Sequence, residues 1–224
     1  MATETYDHPA PPGADPAPII ADPAPLGLAA FALTTFVLSV HNAGWAPDVA
    51  WIGLALFYGG LAQLLAGMWE FRNKNAFGAT AFASYGGFWL ALGSFVLIAG
   101  LTKLGKGLDV DDALGWFLLG FTIFNSYMLL ASALVNKAVF GVFLTLEVTE
   151  ILLVIGFMQP DTDFIHWGGY IGVVTAAVAW YASFAGVANS LSERPILPVG
   201  SPIWSESGER RHRPRIHRHG AQPT

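Results

Sequence analysis

Residues 77–101 read FGATAFASYGGFWLALGSFVLIAGL, twenty-five consecutive positions without a charged side chain. A bilayer core about 30 Å thick needs roughly 20 apolar residues of helix, so this stretch alone is long enough to span. It lacks the period-2 alternation of a barrel strand, and in lipid each backbone polar group must be satisfied within the segment. The stretch therefore reads as a transmembrane helix. Five further stretches meet the same criteria, near residues 23–43, 49–69, 113–136, 138–157 and 165–190. The expected fold is an all-α membrane protein with six transmembrane helices in a bundle, over residues 22–192. Short connectors make sequential helices antiparallel neighbours.

Composition agrees. Hydrophobic residues make up 54% of the 224 residues and charged residues 12%, about half the charge usual in soluble domains. There are no cysteines, which excludes disulfide frameworks, thiolate metal sites and cysteine nucleophiles. Neither an H-E-x-x-H helix nor a G-x-S-x-G elbow occurs, so no enzyme is expected. Nothing in the pattern calls for a cofactor, a metal or a nucleic-acid partner. Residues 1–21 are rich in Pro and Ala, cannot bury a core, and read as a disordered cytoplasmic arm. Residues 193–224 form a basic, His-rich tail.

Charge sets the expected topology. With both termini cytoplasmic, the inner loops and tail hold Arg72, Lys74, Lys137, Arg194, Arg210, Arg211, Arg213, Arg215 and Arg218, against only Lys103 and Lys106 outside. The outer loops carry acids instead: Asp48, Asp109, Asp111, Asp112, Asp161 and Asp163. The expected location is a plasma or inner membrane, crossed many times. Small residues at Gly53, Gly60 and Gly67, Ala62 and Ala66, and Gly168 and Gly172 suit close helix packing within the bundle or between subunits.

Polar residues inside the spans are the functional candidates. Helix 1 opens Asp22-Pro-Ala-Pro-Leu-Gly27-Leu28. Asp22 suits an N-cap and Pro23 a first helical position; the alternative is a helix N-terminus facing an anion. Phe31, Thr34, Thr35, Leu38 and Asn42 share one face. Gln63 and Glu70, seven apart, share another; Glu70 either pairs with Arg72 or stands at a pore mouth. Helix 3 carries Thr80, Ser84 and Tyr85. In helix 5, Glu147 and Glu150 interrupt an apolar run and would repel each other if both were ionised, so they are candidates for holding or passing protons. Glu150 lies ~40° around the helix from Leu146 and Glu147 ~100°, so Glu150 is the better placed if Leu146 faces a pore. The bland reading is a carboxyl group bonded to neighbours such as Asn125, Ser126 or Tyr127.

The segment Asp22–Leu28 resembles the N-P-A-P-L-G-L signature of the acetate uptake transporter family (GPR1/FUN34/YaaH). His41-Asn-Ala-Gly44, Phe57-Tyr-Gly-Gly-Leu-Ala-Gln63 with Ala66-Gly67 and Glu70, Asn75-Ala-Phe-Gly-Ala-Thr-Ala-Phe82, Ser84-Tyr-Gly-Gly-Phe-Trp89 and Leu197-Pro-Val-Gly200 agree in order. The resemblance implies a pathway within each subunit, a homo-hexamer, and a hydrophobic constriction at Phe31, Tyr85 and Leu146. It makes Thr34, Thr35, Asn42, Gln63, Thr80 and Ser84 candidate carboxylate contacts. Two features depart from it: the leading Asn is Asp22, and the Glu147/Glu150 pair has no counterpart in the pattern. The function implied is transport of acetate and similar small monocarboxylates, with succinate a further candidate, by a channel or proton-coupled route. Tyr85 would add a hydroxyl donor at the neck, and Glu150 would couple proton to carboxylate. The alternatives are a channel for a neutral solute such as urea or ammonia, and a non-transporting scaffold or sensor.

Overall fold

The computed structural model describes residues 20–47, 50–101 and 109–204. Most of the amino-terminal arm, the Arg/His cluster of the tail, Asp48, Lys103 and Lys106 lie outside the described residues. Among the described residues there is no strand, and six helices are long and apolar enough to cross a membrane. They are α1 (Ala24–Asn42), α2 (Ala50–Arg72), α3 (Ala76–Leu101), α4 (Val110–Ser132), α5 (Lys137–Met158) and α6 (Thr162–Ser190). The chain is thus an all-α, multi-pass membrane protein.

Caps, rather than hydropathy, set where several helices begin. Asp109 accepts from the Asp112 amide at 3.0 Å, so α4 starts at Val110, before the apolar run that hydropathy detects. Asn136 accepts from the Val139 amide at 2.9 Å and Asp161 from the Asp163 amide at 2.9 Å, fixing the starts of α5 and α6. Each side-chain oxygen satisfies a backbone donor that the first turn leaves unpaired. At α1 Asp22 caps as its position suggests, although the helix begins one residue later. Pro23 sits at the N-cap, the first helical residue is Ala24, and Asp22 Oδ1 accepts from the Ala24 amide at 2.9 Å.

Helix α2 is interrupted by a π-helical stretch, Phe57–Ala62, which the sequence reading did not anticipate. Here the Gly59-Gly60 pair lies between neighbours. A Cβ at Gly59 would stand 2.5 Å from Thr34 Oγ1, and one at Gly60 2.8 Å from Leu90. Further along, Gly67 and Gly86 make the α2–α3 crossing reciprocal: a Cβ on either would come within 2.6 Å of the other helix's backbone, at Ala83 and Leu64. Gly53, the first of the seven-residue series, is instead exposed with nothing near it.

The helices form a ring. Helix α1 packs between α6 and α2, α5 packs between α4 and α6, and α2 packs on α3. The α3/α4 seam is the loosest in backbone terms and is filled by aromatic rings. Phe88 stacks on Phe117 at 5.3 Å and meets Phe121 edge-on at 4.8 Å, and Tyr85 meets Phe124 at 5.4 Å. Large apolar side chains such as Phe57, Leu101 and Trp116 point outward, as lipid-facing positions require. After α6 the chain folds back over the α4–α5 turn: Ala138 N donates to Val199 O at 3.0 Å, and Asn189 holds Ile196 and Leu197.

Candidate functional site

Up-and-down connectivity makes α1, α3 and α5 run in the same direction, so equal steps along each rise together. Among the described residues, two cavities lie between the helices of the ring. One, about 290 Å³, is lined by Phe31, Thr35 and Asn42 of α1, Tyr85 and Trp89 of α3, Leu146 and Glu150 of α5, and residues of α2 and α4. The other, about 500 Å³, opens at the far end beside Asp22, Asn75, Phe143 and Asn189. No residue lines both. Between them lies an aromatic layer. Phe31 meets Tyr85 edge-on at 5.8 Å, Tyr85 lies 6.4 Å from Phe143, and Phe143 lies 5.4 Å from Phe77.

Phe31, Tyr85 and Leu146 are all buried and come together on the wall of the Asn42-end cavity. Four residues beyond each stand Thr35, Trp89 and Glu150. In a helix four residues rise ~6 Å and return to the same face, so an apolar layer is followed by a second layer one turn away. That second layer is polar. Thr35, Trp89 and Glu150 are 5%, 3% and 3% exposed, and Thr35 Oγ1, Trp89 Nε1 and Glu150 Oε2 have no hydrogen-bond partner. Buried polar groups are nearly always paired, so three orphans lining one cavity are groups available to a ligand. The sequence reading passed over Trp89 as a site residue. Its signal was the i+4 step from Tyr85, the same step that separates Thr35 from Phe31 and Glu150 from Leu146.

A second polar group fixes the neck from behind. Asn125 of α4 is fully buried. Its Nδ2 donates to the Phe143 carbonyl at 3.0 Å and to Glu147 Oε2 at 2.6 Å, while its Oδ1 accepts from the Tyr85 hydroxyl at 2.8 Å. A backbone carbonyl can only accept, so the Phe143 contact settles which end of the amide is nitrogen. Tyr85 must then give its only proton to Asn125. This reverses the expected role of Tyr85 as a donor at the neck, because only its lone pairs are left for the cavity.

The two helix-5 acids separate as their rotation requires. Glu150 lines the cavity. Glu147 lines neither cavity and is held by Asn125 and by Ser126 Oγ, at 2.7 Å. Asn42 stands at the mouth of the Asn42-end cavity and Asp22 at the other mouth. Four candidates for carboxylate contact are placed elsewhere. Thr34 is buried against Gly59 and bonds back to Ala30 O at 2.9 Å, the usual bond of an intramembrane hydroxyl. Gln63 is buried outside both cavities, Thr80 is exposed on the outer face, and Ser84 is half-buried away from either lining. The i, i+3 and i+4 spacings marked helix faces but not which face turns inward.

At the helix-1 terminus the capping arrangement is the one present. Asp22's own carboxylate occupies the first free amide, at Ala24, and Gly27 packs on the Phe82 ring. Glu70 does not pair with Arg72, which is exposed. It is fully buried beside Asn73, at 3.5 Å, with Oε1 unpartnered. Among the described residues no group of three or more His, Cys, Asp or Glu could hold a metal ion.

Comparison with known proteins fits this geometry. Over 204 residues the chain is 44% identical to acetate permease A of Emericella nidulans, covering 83% of this chain and 68% of the relative. It is 39% identical over 178 residues to the succinate-acetate/proton symporter SatP of Escherichia coli K12, covering 78% of this chain and 93% of that protein. The solved structure of the bacterial acetate channel SatP superposes with a TM-score of 0.76 at 36% identity, over 81% of this chain and 99% of the other. Residues 9–200 match the GPR1/FUN34/yaaH family as a whole. With six spanning helices, co-linear motifs and a matching solved fold, this chain belongs to the GPR1/FUN34/yaaH family.

Proposed function

We propose that this protein moves acetate and similar small monocarboxylates across a plasma or inner membrane, through its two cavities and the neck between them. The observation that carries this reading is the aromatic and apolar layer, with Phe31, Tyr85 and Leu146 on one side and Phe143 on the other, between two cavities within one subunit. An isolated carboxylate in a low-dielectric layer is very costly. A pathway for one needs polar surfaces on either side of a short barrier, and an apolar neck gates by size and wetting. The transport names of the relatives support the same substrate class. Succinate, longer and carrying two carboxyl groups, meets a higher barrier at this neck.

The positive loop charges support cytoplasmic termini. Exposed glycines without neighbours, Gly53, Gly87, Gly100 and Gly120, offer flat faces for the hexamer that the family resemblance implies.

The test is labelled acetate uptake into proteoliposomes, with and without a proton gradient, after subtraction of protein-free vesicles. Protein-dependent uptake that propionate competes and urea and ammonium do not is the expected result. Competition by urea or ammonium in place of propionate would favour a neutral-solute channel, and absence of protein-dependent flux would overturn transport.

A further inference from the structure

We propose that the chain after α6 holds a basic segment, residues 210–219, against the rim of the bundle, and that rim and segment together form a docking surface for the headgroups of anionic phospholipid. This docking is independent of the substrate that the pathway carries.

The two ends of the ring differ in charge. At the end where α1 begins, Arg72, Lys74, Lys137 and Arg194 are exposed, against two exposed acids, Asp22 and Glu193. At the other end the described residues include five aspartates and no Lys or Arg. Anionic lipid attracts basic groups that stand within about a Debye length of it, ~8 Å at physiological salt. Only the first end has the complementary sign.

The chain after α6 brings more of that charge to the same rim. Helix α4 ends in carbonyls, and α5 begins with amides, that have no partner in their own helix. Both are filled from beyond α6. Ile203 N and Trp204 N donate to Ala133 O at 2.8 and 3.0 Å, and Val199 O accepts from Ala138 N at 3.0 Å. Asn189 Oδ1 accepts from the amides of Ile196 and Leu197 at 2.8 and 2.9 Å, and the Tyr181 hydroxyl donates to Pro198 O. Gly200 bends this strap at φ +76°, where a Cβ would stand 2.8 Å from Lys137. Trp204 is thereby returned to the end of α4. Its side chain and that of Ile203 are exposed, as is Leu134 next to Ala133 in the chain. Tryptophan and apolar neighbours exposed at the end of a spanning helix suit headgroup depth.

The sequence then runs Ser205-Glu-Ser-Gly-Glu-Arg210-Arg-His-Arg-Pro-Arg-Ile-His-Arg-His219. Residues 210–219 hold five arginines and no acid, the composition of a segment that binds anionic headgroups beside a membrane span. Counted from Trp204, Arg210 is six residues away, a reach of at most about 22 Å. Counted from the end of α6 at Ser190 it would be twenty residues away, a reach of about 70 Å. The strap thus confines the arginines near the surface.

The competing occupant is the chain's own amino-terminal arm, which carries Glu4, Asp7 and Asp15 and no Lys or Arg. Lipid is favoured because the described rim is itself basic, so the arginines extend a surface that already has the sign to meet it.

The experiment uses the full chain in nanodiscs at about pH 7.5, where histidine is mostly neutral. The chain has no cysteine, so a single Ala221→Cys carries an environment-sensitive fluorophore. Discs of phosphatidylcholine alone are compared with discs in which about a third of the lipid is phosphatidylglycerol. Emission should move to shorter wavelength, and brominated lipid should quench it, only in the anionic discs. Raising salt to about 1 M shortens the Debye length to ~3 Å and should reverse both effects. Each arginine near such a surface is worth about fivefold in the bound-to-free ratio, so Arg210→Gln/Arg211→Gln/Arg213→Gln should lower that ratio about a hundredfold and restore the emission seen in phosphatidylcholine. Asn189→Ala releases the strap at Ile196 and Leu197, keeps every arginine, and should weaken the shift several-fold. Equal emission in the two kinds of disc would overturn the proposal. A shift that ignores phosphatidylglycerol and disappears on deletion of residues 2–19 would assign the arginines to the acidic arm and overturn it as well. A full shift in Asn189→Ala would overturn the part given to the strap, and the arginine variant decides lipid docking by itself where Asn189→Ala fails to fold.

Discussion

Replacing Asn125 by Leu keeps the branching and the number of side-chain heavy atoms and deletes a bridge between three helices. In the wild type this amide joins Tyr85 of α3 to Glu147 and the Phe143 carbonyl of α5, with contacts of 2.8, 2.6 and 3.0 Å. Not all three losses count equally. Glu147 retains Ser126 Oγ at 2.7 Å, and the Phe143 carbonyl has a second lone pair within its own helix. The Tyr85–Asn125 bond is the term to isolate. Hydrogen bonds between membrane helices average ~0.6 kcal/mol in double-mutant cycles and reach ~1.7. This one is fully buried at the Asn125 end and short, so a coupling of about 1–1.7 kcal/mol is expected. At about 2–4 °C per kcal/mol for a chain of this size, Asn125→Leu alone, with its further losses, should lower the thermal midpoint by roughly 4–8 °C in detergent. The assay is thermal unfolding of the wild type, Asn125→Leu, Tyr85→Phe and the double variant at one scan rate. Once Asn125 is gone, Tyr85→Phe should cost less than it does alone. Strictly additive shifts would show that the hydroxyl and the amide do not interact, and the assignment of Tyr85 as an acceptor toward the cavity would fall with them.

Three other predictions follow from packing and placement. Gly86→Ala puts a Cβ within 2.6 Å of the Leu64 backbone and should sharply reduce folded yield, whereas Gly87→Ala next to it meets nothing within 4 Å and should be neutral; equal behaviour by size-exclusion chromatography would refute the α2–α3 crossing. Leu146→Ala widens the neck and should raise lactate flux relative to acetate several-fold, at a cost of about 2–5 kcal/mol in stability; unchanged selectivity would remove Leu146 from the neck. Because the chain has no cysteine, single Asn73→Cys and Gln159→Cys variants report topology cleanly: an impermeant maleimide applied to intact cells should label position 159 and spare 73, and the reverse pattern would invert the orientation.

Much of the fold was legible because a bilayer demands long apolar helices, and that demand is written in composition. The boundaries that hydropathy misplaced are those set by caps. Asp109 starts α4 at Val110, before the apolar run, and Asn136 and Asp161 fix the starts of α5 and α6. The site was legible in part. Glu150 rather than Glu147 was readable as the cavity-facing acid, because 100° per residue fixes their relation to Leu146. Thr80 and Ser84 were not readable as outward or off-path, because periodicity names a face without saying what that face meets.

What the sequence by itself determined, then, is the set of spanning segments, the family, and the spacing that places Thr35, Trp89 and Glu150 one turn beyond Phe31, Tyr85 and Leu146. These follow from solvent and helical period, which are local. What only the tertiary structure decided is which way protons point at the neck. The Tyr85 hydroxyl is a donor or an acceptor toward the cavity according to a partner forty residues away, Asn125, whose own orientation is set by a carbonyl on a third helix. A hydrogen bond has direction, and that direction is assigned by the whole network rather than by either residue that makes it.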